Sequence, residues 1–357
     1  MISFLKRYDW YLNGSLLFLS VASLVMLASI NLRFFWFQLL WLVIAVGIIF
    51  LFSKIDWRPI VNYRGFILAV YLLGIVLLVL TLWLAPVIRG TRGWIVIGPF
   101  QIQTAEFVKF SVIILLSAFL AKRHVGIAHW QTLLVSGFYA GLPIFLIILQ
   151  PDIGSALIIA GLWVGFLLVS GIRWRHLLIG LMAAILLVGF GWNSVLKDYH
   201  KERFIGLFQP EHDPLGVNYS VIQSKIAIGS GGIFGKGFRQ GTQVQLGFLP
   251  EAHGDFIFAA FIEEWGLVGG LLVISAFVLL VARIIFIGLM AENNFYTLFC
   301  LGTAILFLLQ MFFNVGSNIG LFPVIGVSFP FLSQGGSNLL TNAMLIGIVE
   351  SIVLRRR

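Results

Sequence analysis

Residues 223–266 read QSKIAIGSGGIFGKGFRQGTQVQLGFLPEAHGDFIFAAFIEEWG. Up to Gly254 the passage is glycine-rich and polar; from Phe256 it becomes an apolar helical run. That boundary decides the fold. It places one carboxylate, Asp255, where a long loop re-enters an apolar helix, in a chain that is otherwise nearly all membrane.

The whole composition agrees. Of 357 residues, 60% are hydrophobic and 10% charged, where a water-soluble domain of this size carries about 25% charged residues. The chain therefore reads as a polytopic membrane protein. The formal net charge of +9 does not point to nucleic acid, because the charges lie in short clusters between apolar runs, as membrane topology is written. A single cysteine, Cys300, excludes an intrachain disulfide and a cysteine-rich metal site. Near the start, Lys6 and Arg7 precede an apolar run with no A-x-A-like cleavage site, which reads as an uncleaved first helix.

A span needs roughly 20 apolar residues. On that rule the sequence predicts an all-α fold of ten transmembrane helices in a single integral-membrane domain over 1–357. The spans fall near 12–31, 34–52, 66–85, 105–121, 131–149, 153–171, 176–194, 256–281, 295–315 and 336–354. One side collects Lys6, Arg7, Lys54, Arg58, Arg64, Lys122, Arg123, Arg173, Arg175, Arg283 and Arg355 to Arg357; the short loops of the other have Arg33, Arg89 and Arg92. The positive-inside rule then makes both termini cytoplasmic. Loops 86–104, 150–152, 195–255 and 316–335 fall outside. In 90–104, apolar and polar groups alternate around Gly98-Pro99, which predicts a small hairpin or re-entrant piece. The extracytoplasmic loop at about 195–255, before the eighth span, is too long for a plain connector. It is rich in apolar residues, so short amphipathic helices on the outer face are expected.

Several groups could carry chemistry, and each has a plainer alternative. Asp255, beside Phe256, Ile257 and Phe258, is a desolvated base or a helix N-cap. Glu263 and Glu264 lie about 12–14 Å further along the same helix at 1.5 Å per residue, too far to form a carboxylate pair with it. Their simplest role is hydrogen bonding inside the bundle. Glu106 and Lys109 share a helix face at i,i+3, as a structural ion pair or as a phosphate-binding pair. Asp152, in Gln150-Pro151-Asp152, stands at a span start as a cap. Arg203 lies in the long loop. The run 229–241, GSGGIFGKGFRQG, fails the P-loop pattern, since Ser230 stands where a glycine is required and Gly237 follows Lys236. Its amides are either flexible turns or an anion nest. His253 has no partner at i+4 and is weak evidence for a metal.

Taken in order, the segments Arg92-Gly93-Trp94-Ile95 with Gly98-Pro99-Phe100, Gln103 to Lys109, Gln150 to Ala156, Arg203-Phe204, Gln223 to Gly266 and Asn314 to Gly336 resemble the SEDS (shape, elongation, division and sporulation) family, its RodA-type members most. The resemblance implies a peptidoglycan glycosyltransferase that polymerises lipid II at the outer face of the bacterial cytoplasmic (inner) membrane. It implies work beside a class B penicillin-binding protein, a transpeptidase, with glycan on undecaprenyl pyrophosphate as donor. It marks Asp255 as the general base and Glu106, Lys109 and Asp152 as polar cavity groups. On this view Lys109, Arg203 and Lys225 or Lys236 offset the departing pyrophosphate, or a divalent cation, Mg or Mn, does so instead. The alternatives are a lipid II flippase and a non-catalytic scaffold for the transpeptidase.

Overall fold

The computed structural model describes residues 8–88, 90–98, 100–122, 130–172 and 218–355, with scattered positions between 175 and 216. Among them the chain folds as a helical bundle, in order α1 (Trp10–Ile30), α2 (Leu32–Lys54), α3 (Trp57–Asn62), α4 (Arg64–Leu84), β1 (Trp94–Ile97), β2 (Phe100–Gln103), α5 (Thr104–Ala121), α6 (Trp130–Leu149), α7 (Ile153–Val169), α8 (Tyr219–Gly231), α9 (Thr242–Gln245), α10 (Ile257–Leu289), α11 (Asn294–Asn318) and α12 (Gly336–Arg355). Eight of these helices, α1, α2, α4, α5, α6, α10, α11 and α12, are long and apolar enough to cross a membrane. α7 is equally apolar but has 17 residues. The predicted span 176–194 lies largely outside the described residues. The chain is a multi-pass membrane protein, and eight of its ten predicted spans are matched by helices of spanning length.

Local chemistry starts and stops the helices. Asp9 caps α1 by accepting from Leu12 N at 3.0 Å, and Asn31 caps α2 by accepting from Arg33 N at 2.8 Å. Helices α5 and α12 are buried along most of their length, while α2 faces outward along most of its own. Glycines set the closest approaches, as in membrane bundles generally. A Cβ on Gly347 of α12 would stand 2.6 Å from Phe52 Cβ of α2. One on Gly165 of α7 would stand 2.6 Å from Ile305 Cγ2 of α11.

The predicted hairpin is present. β1 and β2 pair antiparallel with Trp94 opposite Gln103 and Ile97 opposite Phe100. Gly98 supplies the turn at φ +58°. The hairpin is tied to the bundle where Phe100 meets Trp41 edge-on at 5.4 Å.

α10 departs from a simple span. It breaks at Gly266, whose backbone adopts φ 71° and ψ −173°. A left-handed residue with extended ψ interrupts the helical ladder, so the carbonyls before it and the amides after it need other partners. The glycine-rich passage supplies them. Lys236 N and Gly237 N donate to Glu263 O and Glu264 O at 3.0 and 2.9 Å, and Leu267 N and Val268 N donate to Gly232 O and Ile233 O at 2.9 and 3.1 Å. Within the run 229–241, amides 236 and 237 are spent on α10 and are not open to an anion.

Candidate active site

Asp255 lies in the turn immediately before α10 and is half-buried, with its neighbours Phe256 and Ile257 buried. Three successive carbonyls leading to it are each held from elsewhere. Gln334 N donates to His253 O at 2.9 Å, and Ser333 Oγ donates to Gly254 O at 2.8 Å. Asn314 Nδ2 and Asn318 Nδ2 both donate to Asp255 O, at 3.0 and 2.8 Å. The N-cap position of α10 falls one residue after Asp255. Phe256 is the N-cap and its side chain makes no capping bond; Ala259 N donates instead to Asn318 Oδ1 at 3.0 Å. His253 stacks on Phe34 at 4.3 Å and lies 3.6 Å from Glu251. Among the described residues no group of three or more His, Cys, Asp or Glu gathers in a metal-binding arrangement.

The same segment that grips the Asp255 turn reaches the other candidates. Ser337 Oγ accepts from Gln103 N at 2.9 Å, and Asn338 Nδ2 donates to Glu106 Oε2 at 3.1 Å. Glu106 in turn accepts from Lys109 Nζ at 2.7 Å, with both residues almost fully buried. Such a buried pair is tolerable only because Asn338 satisfies a second carboxylate oxygen. Gln103 Nε2 donates to Asp152 Oδ2 at 2.8 Å, while Asp152 Oδ1 caps α7 through Ser155 N at 3.0 Å. Asp152 is therefore the cap that its position predicts and also a member of the net. Residues 333–338 join the Asp255 turn, the Glu106–Lys109 pair and, through Gln103, Asp152.

The loop 319–335 closes over this net. A Cβ on Gly154 would collide with Ile325 O, and a Cβ on Gly326 would lie 3.9 Å from Asp255 Oδ2. Two adjacent residues of one loop thus pack against the start of α7, beside Asp152, and against the Asp255 carboxylate. Lys225, exposed on α8, lies over Gly320, whose φ of +75° and missing Cβ leave it room. Together with Asn218, Ile222 and Phe322 they line a shallow recess. It adjoins the net, because Ser224 Oγ donates to Asn318 O at 2.8 Å.

Two predicted cations part company here. Arg203 lies outside the described residues. Lys236 is committed elsewhere: its Nζ is 2.7 Å from Glu263 Oε1 and 2.8 Å from Thr242 Oγ1. Glu263 also accepts from Gln243 N and Val244 N at 3.0 and 3.3 Å, so its carboxylate caps α9. Glu264 is bonded to Ser29. The structural reading of both glutamates holds.

Sequence reasoning named no role for Asn314, Asn318, Asn338, Ser333 or Gln103. A signal was available. Asn314 with Asn318, and Asn338 with Asn342, are amides at i,i+4 inside apolar helices, where a polar group is costly unless it has work to do.

Comparison with known proteins bears on this geometry. The family model FtsW/RodA/SpoVE, described as "Cell cycle protein", matches residues 7–357. The chain is 36% identical over 323 residues to the Escherichia coli K12 peptidoglycan glycosyltransferase MrdB, covering 88% of this chain and 84% of that protein. Among solved structures it resembles a chain of a peptidoglycan synthase complex studied for the coordination of polymerization and crosslinking, at TM-score 0.82 and 31% identity over 97% of both chains. It also resembles the rod shape determining protein RodA of Thermus thermophilus, at TM-score 0.73 and 28% identity over 97% of this chain and 96% of that one.

Proposed function

We propose that this chain, which belongs to the FtsW/RodA/SpoVE (SEDS) family, polymerises lipid II into glycan strands with Asp255 as general base. It is a peptidoglycan glycosyltransferase of the cell-elongation type, as its relatives' names indicate. It would act at the outer face of the bacterial cytoplasmic (inner) membrane. The observation that carries the residue assignment is the threefold grip on carbonyls 253–255. A turn held so firmly presents its carboxylate at one place, which is what a positioned base needs.

In this reading Asp255 takes the proton from the 4-hydroxyl of the acceptor's terminal GlcNAc. The oxygen attacks the donor's anomeric carbon, the bond to the pyrophosphate breaks with inversion, and undecaprenyl pyrophosphate leaves. Lys225, over its recess, and Arg203 would offset the charge that develops on the leaving group. Lys109 acts through Glu106 and the amide of Asn338. Asp152 holds Gln103 and the hairpin over the site. A divalent cation, Mg or Mn, is the other source of positive charge. With so few clustered carboxylates among the described residues, the pyrophosphate would supply much of its coordination. The relative from the peptidoglycan synthase complex supports a crosslinking partner, which we assign as a class B penicillin-binding protein.

The experiment is polymerisation of lipid II by the purified protein with its partner. Asp255→Asn is expected to lower the rate by about 10²–10⁴-fold, the usual worth of a positioned base, while the complex still forms. Normal amounts of glycan strand from Asp255→Asn would overturn the assignment. One observation favours a second reading, a flippase. A further buried polar cluster lies at the other end of the bundle, where Asn13 bonds Glu350 and Arg283 pairs with Asp9 at 2.7 Å. Translocation of lipid II by vesicles holding this protein alone, abolished by Glu350→Gln, would support it.

A further inference from the structure

We propose that Asn314 and Asn318 are positioning residues for the base, aiming Asp255 through its main-chain carbonyl without touching its carboxylate. The inference rests on the reading of Asp255 as the base. Both amides project from one face of α11 at i,i+4, and both are fully buried. Asn318 Nδ2 donates to Asp255 O at 2.8 Å and Asn314 Nδ2 to the same oxygen at 3.0 Å. A carbonyl has two lone pairs, so this one is saturated by two donors rooted in one helix. The peptide plane that follows Asp255 is thereby fixed.

A plainer account makes Asn318 a helix cap, since its Oδ1 accepts from Ala259 N at 3.0 Å. That explains one contact of one residue. It does not explain Asn314, whose Oδ1 has no partner among the described residues. A buried acceptor left unpaired is a cost, and Asn314 bears it while its Nδ2 bridges Asp255 O and Val327 O, the latter at 2.8 Å. Val327 follows Gly326, the residue that faces the carboxylate. Asn314 therefore fixes the base and the loop opposite it in one reference frame. Displacing a reacting group by about 1 Å costs on the order of 100-fold in rate with little effect on binding.

The test uses the full chain with its partner and lipid II. Asn314→Leu keeps the branched heavy-atom skeleton, adds bulk and removes the amide that donates to Asp255 O and Val327 O; Asn318→Asp keeps an acceptor for Ala259 N and removes the donor to Asp255. Each is expected to lower kcat at least tenfold, with KM for lipid II within twofold, the complex intact and kcat normalised to folded protein. A merely structural role would instead lower yield and melting temperature and leave kcat per folded molecule unchanged. If either variant folds and keeps kcat within twofold of the parent, or loses only KM, the positioning role is wrong. Asp255→Asn, assayed alongside, separates the two levels: if it remains active, the base assignment itself fails, whatever the asparagine variants do.

Discussion

Two polar nodes interrupt this apolar bundle, and they are built to opposite ends. At the Asp255 node amide and hydroxyl donors hold backbone carbonyls, and the Asp255 side chain sits at a half-exposed position. At the Gly266 node the Glu263 carboxylate is spent inside the protein. Glu263, fully buried, holds Lys236, Thr242 and two amides, and the backbone of 232–237 pairs with the broken ends of α10. Irregular backbone inside a membrane bundle is tolerated only when its polar groups are satisfied. At both nodes hydrogen bonds from elsewhere in the chain reach the irregular backbone. The difference lies in exposure: Asp255 is half-exposed where Glu263 is fully buried, and that separates a candidate catalyst from a structural joint.

The sharpest way to break the comparison is to disturb the joint. A Cβ on Gly235 would overlap Glu264 O and Gly266 N, and one on Gly266 would overlap Gly235 N and Ile233 O. The obstacles are backbone, which has no rotamer to yield, and both glycines sit at positive φ. Gly266→Ala and Gly235→Ala are therefore expected to cost about 4 kcal/mol or more, the exceptional range for single substitutions. The measurement is the yield of monodisperse protein in detergent, with little or none expected. Normal yield and melting temperature for both would show that the exchange of backbone bonds does not hold α10.

Next in size is the ion pair. Lys236→Met leaves the buried Glu263 carboxylate without its cation. Removing one partner of a fully buried pair costs about 3–5 kcal/mol. The Lys236 side chain is 25% exposed, so about 2–3 kcal/mol is expected after discounting for solvent. The variant should melt several degrees lower, yet polymerise normally per folded molecule. Asp255→Asn should do the reverse, with an unchanged melting temperature and lost activity. Equal loss of activity from both would mean that the two nodes are one site.

The sequence made some of this legible and hid the rest for physical reasons. Spans such as 105–121 and 336–354 were readable because a membrane helix needs an uninterrupted apolar run, and helices stand there at Thr104–Ala121 and Gly336–Arg355. The hairpin was readable from alternation around Gly98, and the Asp152 cap from its place before Ile153. Those are local signals. Lys236 finding Glu263, 27 positions away, is a tertiary event. So is the docking of the glycine run into α10. No window of sequence shows that amides 236 and 237 will meet the carbonyls of residues 263 and 264. The grip on Asp255 was hidden for the same reason: it runs from Ser333 and from Asn314 and Asn318 to backbone atoms, and any residue type offers those.

The smallest effect tests whether solvent access alone sets the worth of a charge pair. Asp56, between α2 and α3, accepts from Arg58 Nε and Nη2 at 3.1 and 3.0 Å, with Arg355 Nε a further 3.9 Å from its Oδ1, and the Asp56 and Arg58 side chains are exposed by two-fifths or more. The hydrogen bond from Arg58 holds the Asp56 carboxyl below its ordinary 3.8. A carboxyl whose pKa is lowered in the folded state contributes stability above its unfolded value, and loses it as pH falls through the folded one. Asp56→Asn removes the charge facing Arg58 and Arg355 and keeps the cap, because the amide oxygen can still accept from Arg58 N, as Asp56 Oδ1 does at 3.0 Å to cap α3. At neutral pH the substitution should cost no more than about 1 kcal/mol, the ceiling for an exposed pair. The difference in melting temperature from the parent should shrink to nothing once the pH falls below the folded pKa of Asp56. A loss as large as that of Lys236→Met would show that burial is not what separates the Gly266 node from an ordinary surface pair.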